Sequence, residues 1–450
     1  MFDVVVIGGG PGGYVAAIRA AQLGLKTALA EKADLGGVCL NRGCIPTKSL
    51  LHAAAMMRNI KDAEALGIHA GQVRLDFNKV MAHKESQVKT LTGGVRYLLG
   101  KNGVTLYRGE AEILSPDTVA VDDQKISCRH IIIAVGSSPV KPGIPGMENP
   151  AVMTSDEALS LAELPKSMGI IGGGVIGIEM ALIFQSFGCA TSIVEMEDRI
   201  APLMDKEISG GLEALLKKQG IRIYTGSKVE AIEKGRILCK TGADSLQLPA
   251  KKVLAAVGRA SNGLKLSLDR AGIAHEKGII KTDACLRTNI PNIYAIGDVN
   301  GKYMLAHVAS AEGLRAAENI AEAGRPMDYS AVPQCIYTEP EAAAVGLTET
   351  EAAEKGYTLK VSRIPVSANG RSLTEGCTQG FIKIVAEKTG RILGVHILAP
   401  HASELITQCV SAIRFRATAR ELNEIIYPHP SVSELIMEAA HGISGKPIHI

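Results

Sequence analysis

A glycine-rich turn between a short apolar strand and a helix occurs twice in this chain, and the repeat constrains the fold more than any other feature. Asp3–Ile7 is an apolar strand that runs into Gly8-Gly9-Gly10-Pro11-Gly12-Gly13 and then an alanine-rich helix to Leu23. Gly8, Gly10 and Gly13 make a G-x-G-x-x-G pattern. Glycine at those positions permits the tight turn, the close approach of a pyrophosphate, and helix–strand packing. The pyrophosphate belongs at the helix N-terminus, where free N–H groups and the dipole favour an anion. A second strand, Thr27–Ala30, ends at Glu31, whose carboxylate can accept hydrogen bonds from a ribose diol.

The second copy reads the same way. Gly169-Ile170-Ile171 leads into Gly172-Gly173-Gly174-Val175-Ile176-Gly177, a helix through Gly188, a strand Thr191–Val194 and then Glu195. Glu31 follows Gly8 by 23 residues, and Glu195 follows Gly172 by 23. A repeat with one internal spacing is stronger evidence than either copy alone. Two dinucleotide sites of one design are expected, with Gly172, Gly174 and Gly177 forming the second cradle. Glu195 would repel a 2′-phosphate and so favours NAD over NADP, although Arg199 lies close by in sequence.

Ile131–Gly136 is an apolar strand ending in glycine, and Val253–Arg259 repeats it after the second motif with Gly258 at the matching place. Pro139 to Pro150, rich in Pro and Gly, reads as a connector. Asn292–Gly297 is a buried strand ending in Asp298. In open α/β sheets ligands collect at strand C-termini, so Asp298 is expected to hold the ribityl or pyrophosphate part of a cofactor.

Between the two fingerprints lies Leu35–Leu50, with Cys39 and Cys44 five residues apart. In a regular helix that spacing separates α-carbons by roughly 8–9 Å. A disulfide needs about 4.4–6.8 Å. The pair can bridge only if the intervening backbone leaves regular helix, which Gly43 permits. Pro46 suits the first turn of a helix that the apolar run Ser49–Met57 continues. Cys44 then sits at a helix N-terminus, with Lys48 one turn further along the same face. Dipole and ammonium both favour a thiolate there. The reading is a redox-active disulfide, and two unrelated buried cysteines are its alternative.

The 450 residues are too many for one core. Apolar content of 46% and charged content of 21% are ordinary for a globular protein. The net charge of +3 comes without a basic stripe, which argues against nucleic acid. No apolar run reaches 18 residues, so no membrane span is expected. A strand starting at Phe2 leaves no room for a signal or transit peptide. The nine cysteines are odd in number and scattered, unlike a secreted disulfide framework, and no metal site is expected among them. Cytoplasm is the expected compartment.

From about Pro333 no glycine fingerprint appears. Short β-rich runs (Thr358–Pro365, Gly380–Ala386, Ile392–Leu398) alternate with helices (Thr348–Lys355, Ser403–Arg414, Ala419–Ile426). Near the end comes Pro428-His429-Pro430-Ser431-Val432-Ser433-Glu434. Histidine is the side chain suited to proton transfer near neutral pH, which makes His429 a candidate base; Glu434, five on, could orient its ring.

With the dithiol segment, two fingerprints and the His-Pro-x-x-x-Glu in view, the chain resembles the flavin-dependent pyridine nucleotide–disulfide oxidoreductases from end to end. It is most similar to members that oxidise dihydrolipoyl groups. The resemblance implies FAD at Gly8, Gly10, Gly13, Glu31, Lys48, Gly136, Asp298 and Ala306-His307, and NAD at Gly172, Gly174, Gly177, Glu195 and Gly258. It implies that Cys39 exchanges with the dithiol substrate and that Cys44 is the thiolate under the flavin. His429, reaching in from a partner subunit, would be the base oriented by Glu434, and Lys48 and Glu179 would pair beside the flavin. The implied architecture is α/β: two Rossmann-like dinucleotide-binding domains of duplicated design plus a C-terminal α+β dimerisation domain. Residues 1–145 and 269–332 would bind FAD, 146–268 NAD, and 333–450 would form the interface of a homodimer. The implied partner is a dihydrolipoyl group on a lipoyl-carrier protein or a 2-oxo-acid or glycine-cleavage complex. Val38, Ala260-Ser261 and Ser431 depart from the family pattern. A reductase of another disulfide or of a metal ion on the same fold, and a non-catalytic scaffold, are the competing readings. Glu195 and a C-terminal tail without a cysteine pair speak against the former, and intact redox residues against the latter.

Overall fold

The computed structural model describes residues 1–322 and 324–450. The first fingerprint strand, Phe2–Ile7, lies between Thr27–Glu31 and Gln124–Ile133 and pairs parallel with both. Thr105–Arg108 extends this sheet on one side, and Ile293–Ala295 pairs parallel with Gln124–Ile133 on the other. Successive strand side chains point to opposite faces. Val4 and Val6 therefore enter a core with Ala16, Ala17, Ala316 and Ala317 of helices Pro11–Gln22 and Ala306–Ala321. Val5 and Ile7 enter another beneath the antiparallel strands Ala111–Ser115 and Thr118–Val121. Both faces are covered, which is why this strand reads Val-Val-Val-Ile without alternation. Each such buried side chain contributes about 1.5–3 kcal/mol.

The second unit repeats the arrangement. Its five parallel strands run in the order Arg222–Tyr224, Ala190–Val194, Ser167–Ile171, Lys252–Ala255, Val152–Met153. The first four match Thr105–Arg108, Thr27–Glu31, Phe2–Ile7 and Gln124–Ile133 position for position. Each unit also carries antiparallel strands before its glycine-terminated strand; in the second these are Ser227–Glu233, Arg236–Thr241 and Asp244–Pro249. The duplication legible in the glycines thus extends to topology.

The C-terminal part is a five-stranded antiparallel sheet in the order Gln334–Ile336, Glu341–Gly346, Ile392–Ala399, Phe381–Glu387, Leu359–Pro365. Helices Ala402–Arg414 and Glu434–Ser444 share its core. The first two strands and the last helix are absent from the sequence reading; the remaining elements fall where it places them within a few residues. The architecture is α/β in the two duplicated units, with this α+β unit at the end. Among the described residues no helix is long and apolar enough to cross a membrane.

Candidate active site

Cys39 lies in the short helix Gly37–Arg42, and Cys44 is the first residue of the helix Cys44–Asp62. Between them Gly43 has φ −149° and ψ −111°, outside the helical region, so the two helices are not continuous. This is the break that a close pair at this spacing requires. The cysteines are free thiols that share a hydrogen bond. That bond from Cys39 and the charge of Lys48 outweigh burial and pull the Cys44 thiol down to about 7. Cys39 is pushed far up by the same shared proton and by burial. Lys48 and the helix start favour Cys44 as the sulfur that carries the charge in the reduced pair. Pro46 is the third residue of its helix, where no intrahelical acceptor awaits its missing N–H.

Lys48, one turn past Cys44, places Nζ 3.0 and 2.8 Å from Oε1 and Oε2 of Glu179. Glu179 is buried on the second fingerprint helix, Val175–Ser186. The backbone N–H of Tyr337 also donates to Glu179 Oε1 at 3.1 Å, and the Tyr337 ring lies 4.2 Å from the ammonium. A buried charge is tolerated where it is paired and its remaining acceptor sites are filled. Here the pair is met by a third donor and a ring face. Leu50, Leu51 and Ala54 of the dithiol helix share one core with Ile178, Met180 and Ala181 of the fingerprint helix.

The two glycine cradles coincide in detail. Gly8 has φ +103° and Gly172 φ +106°. A Cβ on Gly13 would sit 1.8 Å from the Gly8 carbonyl oxygen, and one on Gly177 2.0 Å from that of Gly172, so both helix–strand contacts demand glycine. Gly10 and Gly174 are different. Each is the residue before its helix, and a Cβ would meet nothing nearer than 4.0 Å at Gly10 and nothing within 4 Å at Gly174. That open ground at a helix N-terminus has the room and the free N–H groups that suit a pyrophosphate. Glu31 accepts N–H from Gly9 (2.6 Å) and Ala33 (2.7 Å); Glu195 accepts from Gly173 (2.5 Å) and Glu197 (2.8 Å). Each carboxylate is thereby fixed at the lip of its cradle with acceptor capacity to spare for a diol. Arg199 donates to Pro202 O and Asp198 and is not extended over the Glu195 carboxylate.

Asp298 stands in the turn Gly297–Asn300 after the strand Ile293–Ala295. Its Oδ2 accepts from Ser137 Oγ, and Arg259 donates to both Oγ (2.7 Å) and O (2.8 Å) of Ser137. Ser137 and Arg259 follow Gly136 and Gly258, the two strand-end glycines. The segments Ser137–Pro139 and Arg259–Ser261 pair antiparallel, so the duplicated strand ends join the two units directly. Ala260 and Ser261, which depart from the family pattern, sit in this joint, where Ser261 Oγ donates to Gly278 O at 2.6 Å. Ala306 begins the helix Ala306–Ala321 with no side-chain cap, and His307 Nε2 is 3.0 Å from Pro333 O.

His429 Nδ1 is 2.9 Å from Glu434 Oε1, and Glu434 Oε2 accepts the Ser431 N–H at 2.8 Å. Burial pushes the Glu434 carboxyl up, but the Ser431 N–H and His429 outweigh it and hold the group below the usual range. A neutral His429 ring donating from Nδ1 leaves Nε2 as proton acceptor. The side chain is 80% exposed. Among the described residues no hydrogen bond joins it to a cysteine of the same chain.

These features set the dithiol near both glycine turns: Gly37 packs on Gly10, and Lys48 reaches Glu179 on the second helix. Residues 2–313 match the model for pyridine nucleotide-disulphide oxidoreductase, and residues 332–440 match that for the dimerisation domain of the same proteins. The chain belongs to the pyridine nucleotide-disulphide oxidoreductase family. Dihydrolipoyl dehydrogenase from Bacillus subtilis is 43% identical to it, covering 100% of this chain and 99% of the relative. The enzyme of that name from Thermus scotoductus is 42% identical, covering 100% and 99%. Among solved structures, the HOCl-induced flavoprotein disulfide reductase RclA from Escherichia coli superimposes with a TM-score of 0.87 at 30% identity, covering 97% of this chain and 99% of that one.

Within this family member, three site neighbours escape a sequence reading. Tyr337 meets Lys48 and Glu179 from a strand-rich segment more than 150 residues away, and nothing local marks it. Ser137 and Arg259 had a usable signal, since each directly follows a repeated glycine.

Proposed function

We propose that this protein is an NAD-dependent dihydrolipoyl dehydrogenase that uses FAD and a Cys39–Cys44 redox disulfide. The observation that carries the reading is the paired dithiol at the start of the helix Cys44–Asp62, tied by Lys48 to Glu179 on the second fingerprint helix. Full-length relatives at 42–43% identity bearing that name support it.

Bound FAD supplies a two-electron carrier between the dithiol and the nicotinamide. The chain's own residues divide the remaining work. A thiolate of the dihydrolipoyl group attacks Cys39 Sγ of the disulfide, and Cys44 leaves as thiolate. Cys44 suits the leaving role because it starts a helix and the Lys48 charge lowers its thiol pKa. His429 Nε2 takes the proton of the second substrate thiol, which attacks the substrate sulfur bonded to Cys39. Lipoyl is released and Cys39 departs with the sulfur electrons. Glu434 holds the ring and stabilises the imidazolium. Lys48 lies beside the charge that develops on Cys44.

Gly8, Gly10, Gly13, Glu31, Gly136, Asp298 and Ala306 fit the FAD nucleotide, and Gly172, Gly174, Gly177, Glu195 and Gly258 fit NAD. The boundaries we assign are 1–145 with 269–332 for FAD, 146–268 for NAD and 333–450 for dimerisation. The pairing of Ile293–Ala295 with Gln124–Ile133 supports the return of the third segment to the first unit. The exposure of His429 supports its use by a partner's dithiol in a homodimer. A lipoyl-carrier protein or 2-oxo-acid or glycine-cleavage complex is the proposed partner, and cytoplasm the proposed site of action. Steady-state assay of dihydrolipoamide with NAD⁺, beside glutathione disulfide and Hg²⁺ with NADH, tests the assignment; preferred turnover of either of the latter would overturn it.

A further inference from the structure

Glu312 has no part in the dithiol chemistry, yet it is 0% exposed on the helix Ala306–Ala321. Its Oε2 accepts the Gly297 N–H at 2.5 Å and Asn300 Nδ2 at 2.9 Å. Its Oε1 accepts the Tyr329 hydroxyl at 2.5 Å. Gly297 and Asn300 are the first and last residues of the turn that carries Asp298. Tyr329 in turn stacks on Tyr303 just beyond that turn, ring centroids 5.5 Å apart. No cation donates to the carboxylate among the described residues. A buried carboxylate held by neutral donors is costly to keep, and two of its three donors belong to one short turn.

We infer that Glu312 is a positioning residue for the flavin nucleotide site, clamping the turn Gly297–Asn300 so that Asp298 is presented to the bound cofactor. The inference rests on the reading of Asp298 as a cofactor ligand. An apolar side chain at 312 would leave the Gly297 N–H and the Asn300 amide buried without an acceptor, and the turn would open to satisfy them. Glutamine differs. Its oxygen can accept from Gly297 and Asn300 while its amide donates to the Tyr329 oxygen.

The test is FAD titration of the full-length chain stripped of flavin, with NADH affinity measured on the same samples. The second fingerprint is the internal control, because a merely structural defect would weaken both nucleotides. For Glu312→Leu we expect FAD Kd to rise at least about tenfold, the consequence of stranded buried donors, with NADH Kd within about twofold. Glu312→Gln should stay within about threefold of the unaltered chain for FAD. Tyr329→Phe keeps the two contacts to the turn but frees Oε1, and should raise FAD Kd several-fold; it decides the matter if Glu312→Leu does not fold. Unchanged FAD affinity in the decisive variant overturns the inference, as does NADH affinity falling in step with that for FAD. Failure of the unaltered chain to bind FAD overturns the flavoprotein reading with it.

Discussion

One ammonium joins the redox pair to the second nucleotide unit: Lys48 Nζ lies 2.8 and 3.0 Å from the two oxygens of Glu179, whose side chain is only 4% exposed. The partners are 131 residues apart in sequence. Removing Lys48 strands the carboxylate, although the Tyr337 N–H still reaches it. Lys48 is itself one-third exposed, so solvent softens the loss, and Lys48→Ala is expected to cost about 1–3 kcal/mol in chemical denaturation. The same change should raise the Cys44 pKa, since Lys48 lowers it. A wild-type unfolding midpoint together with an unchanged thiol titration would show that the pair is ornamental.

The thiol titration is itself a prediction. In the reduced, flavin-free chain the ultraviolet thiolate band should rise with a midpoint near the value of about 7 set for Cys44. The largest cause of that low value is the hydrogen bond from Cys39. Cys39→Ala removes the donor and should move the midpoint upward, whereas Cys39→Ser retains a donor and should move it less. The sign for stability follows. A folded-state value below the ordinary 9.0 contributes stability that is present above pH 9 and lost as pH falls through about 7. Cys39 shifts the opposite way, so its contribution falls as pH rises above 9 and turns the profile of the reduced chain over there.

The glycine cradles, the acids at their lips and the dithiol could all be read from the sequence, because each rests on local rules: a turn that only glycine can make, a strand end, a helix start. Gly13 against the Gly8 carbonyl is such a rule made visible. The helix Phe77–Lys101 was not legible. Its buried positions are Lys84, Val88, Val95 and Leu99, a stripe too narrow to stand out among polar neighbours, and one member is a lysine that donates to Leu159 O. Strand Glu341–Gly346 was missed because Ala-Ala-Ala carries little β signal; its place is set by pairing with Ile392–Ala399, and the three-residue strand Gln334–Ile336 pairs in turn with it. Tyr337 and Glu312 act through contacts between distant segments, for which no local pattern exists.

His429 and Glu434 should matter only where a substrate proton moves. His429→Gln should lower dihydrolipoamide oxidation by about 10²–10⁴-fold while leaving NADH oxidation by a quinone nearly intact. Equal loss in both assays would point to a structural defect. Glu434→Gln keeps the hydrogen-bond geometry but not the charge, and should cost less.

The exposure of His429 also makes a prediction about chains in combination. If the imidazole serves a partner's cysteines, a mixed dimer of one Cys44→Ser chain and one His429→Gln chain contains one complete site. Co-refolding the two inactive variants should then recover activity. Recovery at background level would place the base and dithiol in one chain.

The proposed NAD site assigns nucleotide choice to Glu195, which is fixed by the Gly173 and Glu197 N–H groups, while Arg199 is engaged elsewhere. NAD⁺ should be preferred over NADP⁺ by at least about a hundredfold in kcat/KM, the scale of an unpaired charge clash. Glu195→Ala should shrink that ratio at least about tenfold, mainly by losing NAD⁺. A ratio unaffected by the substitution would remove Glu195 from the selection of nucleotide.

The most direct measurement of the whole electron route is dihydrolipoamide-dependent reduction of NAD⁺ by the flavin-loaded protein and by its Cys44→Ser variant. The account predicts robust turnover for the former and a loss of about a thousandfold or more for the latter, with bound flavin retained. Turnover by the variant within tenfold of the unaltered protein would contradict it.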